Sequence, residues 1–309
     1  MKNNAKFYRK IIAVIGIAIL VAGITRISRA DDGRDFADKS KFTKIDVPGA
    51  AGFTQPSGIN PQGDIVGTYE VVSNNTLITR GFLLSNGTFT NIDVDLPGAM
   101  TGSTNAIGIN PPGDIVGYYA DTNFSTHGFL LRKGTFTKID VPGVEATAPQ
   151  AINPQGDIVG FYIDSSGNEH GFLLSEGRFT KIDVLGAAGF TDPFGINPQG
   201  DIVGIYADSS RNGHGFLLSR GTFTSIDVPG ALAGTTEALG INPKGDIVGG
   251  YIDNSGLHGL LLSKGRFTAI DVPAAFGIGT QAFGISPQGD IVGSYFDGSF
   301  NTHGFLLSK

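Results

Sequence analysis

The sequence has no cysteine and no tryptophan, and only two of its 309 residues are methionine. Without cysteine it can form no disulfide, no thiolate nucleophile and no Cys-ligated metal site. Without tryptophan it offers no Trp platform for a sugar ring. Charge is scarce as well: 16% of residues are charged, against about 25% in an average soluble chain. The formal net charge of −6 argues against general nucleic-acid binding, which needs a basic face. No apolar stretch with helical period occurs after the first thirty residues. Glycine and phenylalanine are plentiful, at 47 and 22 residues. So much glycine disfavours helices, because each one weakens a helix interior by about 1 kcal/mol relative to alanine. There is no Gly-X-Y period, which excludes collagen. A 40% hydrophobic content is enough to bury a core. These features describe a Gly-rich, Phe-rich β protein.

Residues 1–30 read as an address rather than as part of the fold. Lys2, Lys6, Arg9 and Lys10 precede an uncharged apolar run from Ile11 to Ile24. Ser28 and Ala30 then put small residues at the −3 and −1 positions of a cut before Asp31. That is the signal-peptide pattern, and the run is shorter than the ~20 residues of a spanning helix. An uncleaved N-terminal anchor is the rival reading, since Arg26 and Arg29 crowd the cut, and it is the chain's one route to a membrane. Both readings export the rest, as a secreted, periplasmic or cell-surface protein. Residues 31–40 form a linker. Removing residues 1–30 takes away six basic and no acidic residues, leaving a net charge of −12.

Six copies of one unit fill residues 41–309. The turn Asn-Pro-x-Gly-Asp begins at Asn60, Asn110, Asn153, Asn197 and Asn242, with a Ser-Pro-Gln-Gly-Asp version at Ser286. The spacings are 50, 43, 44, 45 and 44 residues, a period that signals a solenoid, an array or a propeller. In the turn, Pro presets φ, Gly takes the left-handed site and Asn can close the turn with its side chain. Ser85-Asn86-Gly87-Thr88 and Ser263-Lys264-Gly265-Arg266 are two-residue hairpin loops. Each unit is therefore a four-stranded antiparallel meander. The repeat is offset: Lys41 to Pro48 is a fourth strand without its preceding three, and His303 to Ser308 is a third strand without a fourth. A ring closed by pairing these two ends explains the offset, so the predicted fold is an all-β, six-bladed β-propeller. Such a fold protects its edges by radial repetition and is expected to be a monomer. An open β-solenoid is the competitor, although it would want atypical capping repeats.

The run Gly-Ile-Asn-x-x-Gly-x-Ile-Val-Gly followed by His-Gly-Phe-Leu-Leu resembles the HAF-repeat family of extracellular bacterial proteins, over residues ~41–309 at the family's ~40-residue period. This chain has Gly in the middle of each triplet, as in His127-Gly128-Phe129 and His170-Gly171-Phe172, with His258-Gly259-Leu260 in repeat 5. It also ends its units in Ile-Asp-Val-Pro-Gly. The resemblance implies export and a repeat fold, and no reaction or ligand.

All five histidines are in these triplets, and each follows an aspartate across a short loop. The pairs are Asp121 with His127, Asp164 with His170, Asp208 with His214, Asp253 with His258, and Asp297 with His303. Repeat 1 carries Val71 and Arg80 at the two positions, and this joint loss suggests that the residues are partners. Repetition in nearly every copy points to a structural Asp–His bond rather than to metal sites or general bases. The Asp after the turn glycine (Asp64, for example) and the Asp of Ile-Asp-Val (Asp46, Asp140, Asp183 and their equivalents) occur in every copy. They are expected to satisfy backbone amides. No EF-hand loop is present, so no cofactor is expected, and calcium at the Asp-rich loops is the one cation to weigh. No nucleophile elbow, zincin motif, Walker loop or dinucleotide fingerprint occurs.

Function is sought where the copies differ. The loop entering each first strand has Thr or Ser and then a variable residue: Gln55, Asn105, Ala148, Asp192, Glu237 and Gln281. With the first strand innermost, these line the mouth of a central channel as solvated rim residues. Asp192 and Glu237 are in adjacent repeats, where they could form a carboxylate pair. The longest variable loop, 71–80, is expected on the same face. Two function classes follow: a non-catalytic exported scaffold binding a glycan, a peptide or a surface protein, and a hydrolase or lyase using Asp192 and Glu237. Without an asymmetric His, Ser or Lys constellation the first is favoured. The negative charge favours a neutral glycan, a basic protein or a cation as partner.

Overall fold

The computed structural model describes residues 42–273 and 278–309, so the expected signal peptide (1–30) and linker (31–40) lie outside the described residues. The described residues form 24 β-strands and no helix. After β1 (Phe42–Ile45), the first blade is β2 (Thr54–Ile59), β3 (Ile65–Ser73), β4 (Thr76–Ser85) and β5 (Thr88–Ile92). Its strands pair antiparallel in that order, and four further meanders repeat it. The sixth sheet is β22 (Ile278–Ile285), β23 (Ile291–Phe296), β24 (Thr302–Leu307) and, as its outermost strand, β1. The chain is a six-bladed β-propeller closed by its own N-terminal strand. Thr43 pairs with Leu306 and Ile45 with Gly304.

The closing strand reproduces contacts that the other blades make locally. Phe42 meets Phe305 edge-to-face at 5.5 Å, as Phe172 meets Phe179 at 5.5 Å within blade 3. Asp46 bonds His303 at 3.0 Å, as Asp183 bonds His170.

Turn chemistry sets each hairpin. Asn153 Oδ1 accepts from the amides of Gln155 and Asp157 at 3.0 and 2.9 Å, and its Nδ2 donates to Asp157 Oδ2 at 2.9 Å. The Asp after the turn glycine therefore partners the Asn side chain and does not cap backbone amides as expected. Only at the sixth copy does it accept an amide from another element, with Lys309 N donating to Asp290 Oδ1. The hairpin of the outer strands turns on Asn86 and Gly87, both at positive φ (49° and 76°), the geometry that matches strand twist.

The core is a stack of layers between blades. One Val per blade (Val66, Val116, Val159, Val203, Val248, Val292) is fully buried, as is one third-strand residue (Phe82, Phe129, Phe172, Phe216, Leu260, Phe305). The Val of one blade packs against the next blade's Phe, Val66 with Phe129, Val116 with Phe172 and Val292 with Phe82. At the axis the inner strands touch through their backbones. A Cβ on Gly240 would lie 2.6 Å from the Phe283 carbonyl oxygen, and one on Gly284 would lie 2.9 Å from that of Ser57. Glycine is needed there for close approach. Each inner strand also carries a β-bulge, between Pro56 and Gly58 in blade 1 and at the same place in the other five. A further stitch joins each blade to the next. Thr54, Thr104, Thr147, Thr191, Thr236 and Thr280 accept, at 3.0–3.3 Å, from the Val amide that follows the preceding Ile-Asp.

Deleting residues 31–48 should expose β24 as an unprotected edge. We expect a lower melting temperature and concentration-dependent association, read by thermal unfolding and size-exclusion chromatography. A truncated chain that stayed monomeric with an unchanged melting temperature would contradict the role given to β1.

Candidate functional site

The meander sorts the connections onto two faces. One, the turn face, carries the Asn-Pro-x-Gly-Asp turns and the outer hairpins. The other, the loop face, carries the loops between second and third strands and the passages from blade to blade.

Five side-chain clamps ring the loop face. Each histidine sits between two carboxylates, where one had been expected. His170 places Nδ1 at 3.0 Å from Asp183 and Nε2 at 3.4 Å from Asp164, and His258 does the same with Asp271 at 2.8 Å and Asp253 at 3.1 Å. His127 is held by Asp140 and Asp121, His214 by Asp227 and Asp208, and His303 by Asp46 and Asp297. The Ile-Asp-Val aspartates thus bind imidazoles, which corrects the backbone role expected for them. Their strand ends directly beneath the histidine, so the side chain reaches the ring before it reaches any amide. A Tyr ring packs on each imidazole, 5.2 Å away for Tyr251 on His258.

The loop aspartates do two jobs. Asp164 Oδ1 accepts from the amides of Ser166 and Asn168 at 2.9 and 2.8 Å. These bonds, that from Asn168 foremost, hold its carboxyl down at about 2. Burial opposes charge on His258, but the bonds to Asp271 and Asp253 outweigh it and raise its pKa. In blade 1, Arg80 stands opposite Tyr69, as the histidines do, with Nε 3.7 Å from Asp93. Among the described residues no group of three or more His, Asp and Glu side chains is arranged to hold a metal ion.

The segment expected as loop 71–80 is not a loop. β3 and β4 continue as a ladder through Ser73 and Thr76, leaving only Asn74 and Asn75 as the turn, at φ 50° and 61°. Val71 pairs with Ile78 and Val72 with Leu77. With Val71 and Arg80 in place of the Asp–His clamp, the hairpin extends as an arm.

The variable residues lie in the inner strands themselves, near their heads, and not in the loops that enter them, and they are largely buried. Gln55 is 7%, Asp192 1% and Glu237 8% exposed, so they are not solvated rim groups. Only Asn105 and Gln281 are half-buried. In register, Gln55 pairs with Thr68, Glu237 with Gly250 and Gln281 with Ser294. This places the side chains between blades and not above them. A Cβ at Gly250 would sit 3.3 Å from Gln281 Cγ, so the missing side chain there makes room for the neighbouring glutamine. Gln281 Nε2 donates to Glu237 Oε2 across the boundary of blades 5 and 6, and desolvation pushes the Glu237 pKa up to about 7. The hydrogen-bond partner of Glu237 is thus the amide of Gln281. On blades 2 and 3 the mouth is apolar: Ile107, Tyr118, Ala148 and Phe161 cluster, and Phe161 lies 6.4 Å from Phe194 on the blade-4 strand that also carries the buried Asp192. The mouth has two halves. Gln55, Asn105, Glu237 and Gln281 make a polar arc on blades 1, 2, 5 and 6, and the aromatic half lies across blades 2 to 4, with the buried Asp192 at the head of the blade-4 strand.

Sequence reasoning missed the second carboxylate of each clamp, the threonine stitch and the apolar arm. The threonines were visible as an invariant residue before each variable one. The arm was signalled by Asn-Asn between two alternating apolar runs.

No family model matches the sequence, and no curated protein matches it. Solved structures do resemble it. The Aleuria aurantia lectin in complex with Fucα1-6GlcNAc aligns over 82% of this chain and 91% of its own, at 11% identity and a TM-score of 0.52. AofleA from Arthrobotrys oligospora aligns over 85% and 81%, at 13% identity and 0.50. A sialidase from Trypanosoma rangeli aligns over 89% of this chain but 57% of its own, at 10% identity and 0.52. They share its fold. At these identities the likeness shows nothing more.

Two outcomes test the site's chemistry. His170→Ala should cost about 1–2 kcal/mol by leaving polar partners unmatched. Asp164→Val combined with His170→Arg, which copies blade 1, should cost less than the two singles together, and additive losses in denaturant unfolding would show that the two do not interact. Glu237 holds its proton more tightly folded than unfolded, because its value rises from 4.5 to about 7. Stability should therefore fall as pH rises through that window, by a loss on the order of 1–3 kcal/mol. Glu237→Gln should remove most of this loss, read as the melting temperature at pH 5, 6, 7 and 8.

Proposed function

We propose that this chain is an exported, non-catalytic binding propeller of the HAF-repeat kind, and that the polar arc of its channel mouth takes a neutral, hydroxyl-rich ligand such as a glycan. The observation that carries this reading is the broken symmetry of the mouth. Six equivalent positions hold two glutamines, one asparagine, an alanine and two acids, while the turns, clamps and stitches beneath them repeat. Equivalent groups in every blade cannot define one oriented ligand, and binding residues concentrate where a rigid scaffold varies. Gln55, Asn105 and Gln281 offer both donors and acceptors, which suits hydroxyl groups. A protonated Glu237 would add a further donor without charge. The precedent of a lectin of this fold holding Fucα1-6GlcNAc supports the glycan class without naming the sugar.

The alternative, a hydrolase or lyase, has one observation in its favour. Glu237 near 7 has the value suited to a general acid at neutral pH. Its bond to Gln281, an amide that cannot act as a base, favours binding instead.

Calorimetric titration with a panel of neutral oligosaccharides tests the reading. Gln281→Ala and Asn105→Ala should each weaken binding by about tenfold, the loss of a good hydrogen bond. The double variant Asp192→Ala, Glu237→Ala should weaken it too, while Gln155→Ala and Gln199→Ala on the turn face leave it unchanged. Binding lost from the turn face and kept at the mouth would overturn the placement, and turnover of an aryl glycoside abolished by Glu237→Gln would establish the alternative.

A further inference from the structure

Among the described residues, the large hydrophobic side chains left exposed are Val72, Leu77, Phe124, Leu185, Leu232 and Phe300. All lie on the loop face and none on the turn face. Four of them belong to the consecutive blades 6, 1 and 2. Phe300, in the loop before β24, is 70% exposed, and Phe124, in the equivalent loop of blade 2, is 55% exposed. Between them rises the arm of blade 1, with Val72 facing Leu77 near its tip at 59% and 55% exposure.

The two phenylalanines occupy one and the same loop position. Each amide donates to the carbonyl of the loop aspartate, Phe124 to Asp121 and Phe300 to Asp297, as Gly167 does to Asp164 in blade 3. Each has φ 64°, close to the 67° of Arg211 at the same position in blade 4, where blade 3 has Gly167 at 79°. That region favours glycine, and a bulky residue there is an outlier. The rings do not repay the strain by burial, because they stand in water. Strained residues of this kind persist at functional positions. The loops around them are also fixed before any partner arrives, since bridges join Phe53 to Thr302, Thr79 to Ser103 and Ala99 to Asp121.

Charge says what would cover this crest. Outside the buried mouth, the loop face of the described residues carries fifteen Asp and Glu against five Lys and Arg, whereas the turn face carries seven against eight. Two copies meeting through their loop faces would repel, as would an anionic bilayer. We propose that the crest of Phe300, Val72, Leu77 and Phe124 is the docking surface for a cationic, apolar polypeptide segment of another protein. Its apolar side chains would pack between the two rings and the arm, and its Lys or Arg groups would meet the surrounding carboxylates. The inference does not depend on the glycan reading of the mouth.

The probe is a fluorescent twelve-residue peptide of alternating Lys and Leu or Phe, titrated into the full chain by anisotropy. Lys/Ser and Glu/Leu peptides of equal length serve as comparison. The Lys/Leu peptide should bind, more weakly as salt is raised, and the other two should not. Phe124→Gly with Phe300→Gly should weaken binding by about tenfold or more, as loss of aromatic anchors does, while the melting temperature holds or rises because glycine suits that φ. Val72→Thr with Leu77→Thr should weaken binding without touching either loop. Gln281→Ala should leave peptide binding unchanged, which separates this surface from the mouth. Failure of the wild-type chain to bind the Lys/Leu peptide would overturn the proposal, as would equal binding by the glycine variant or by the Glu/Leu peptide. Self-association, or adsorption to zwitterionic vesicles, that the glycine variant abolishes would replace the partner with a second copy or a neutral lipid surface.

Discussion

The antiparallel ladder between Phe42–Ile45 and Thr302–Leu307 is the interaction on which the ring depends. Each blade buries its faces only against its two neighbours, so a gap anywhere would leave two sheets half-covered. The ladder spans the two ends of the chain and carries the same Phe–Phe and Asp–His contacts that the other blades form locally. With no disulfide available, closure rests on packing and hydrogen bonds alone. The threonine stitches spread that load, since each blade's exit is tied to the next blade's inner strand.

Closure around a narrow axis constrains everything near the centre. The inner strands approach until backbone meets backbone at Gly240 and Gly284, and the bulges accommodate the twist. Side chains at the head of these strands are consequently squeezed between blades, which is why Asp192 and Glu237 are buried. Burial then acts on chemistry. A carboxyl deprived of water gives up its proton less readily, and Glu237 becomes a group that titrates near neutrality. The polar arc is a product of the same geometry, because Gly250 leaves room for Gln281.

Against this repeated frame, blade 1 and its neighbours are the exception. Loss of the Asp–His clamp at Val71 and Arg80 lets β3 and β4 run on as an arm. The flanking blades place phenylalanine where the backbone favours glycine. Among the described residues the turn face exposes no large hydrophobic side chain, and its charges nearly balance. A scaffold with a uniform underside and an acidic, locally apolar upper side is polarised toward one kind of encounter.

The sequence by itself determined the blade count, the strand order, the turn at Asn153-Pro154-Gln155-Gly156 and the closure by the N-terminal strand. Each depends on local chemistry repeated six times, and repetition makes weak signals legible. It also identified the Asp–His partnership, through the joint change at Val71 and Arg80. It could not show that Asp183 completes the clamp on His170, because the two stand thirteen residues apart and meet only when the third and fourth strands pair. Nor could it show that Glu237 bonds Gln281, forty-four residues away in the next blade. Burial of the mouth residues, the polar and aromatic halves and the crest over blades 6, 1 and 2 were likewise decided by the tertiary structure. They depend on which blades stand side by side and how closely, and those distances exist only once the ring has closed.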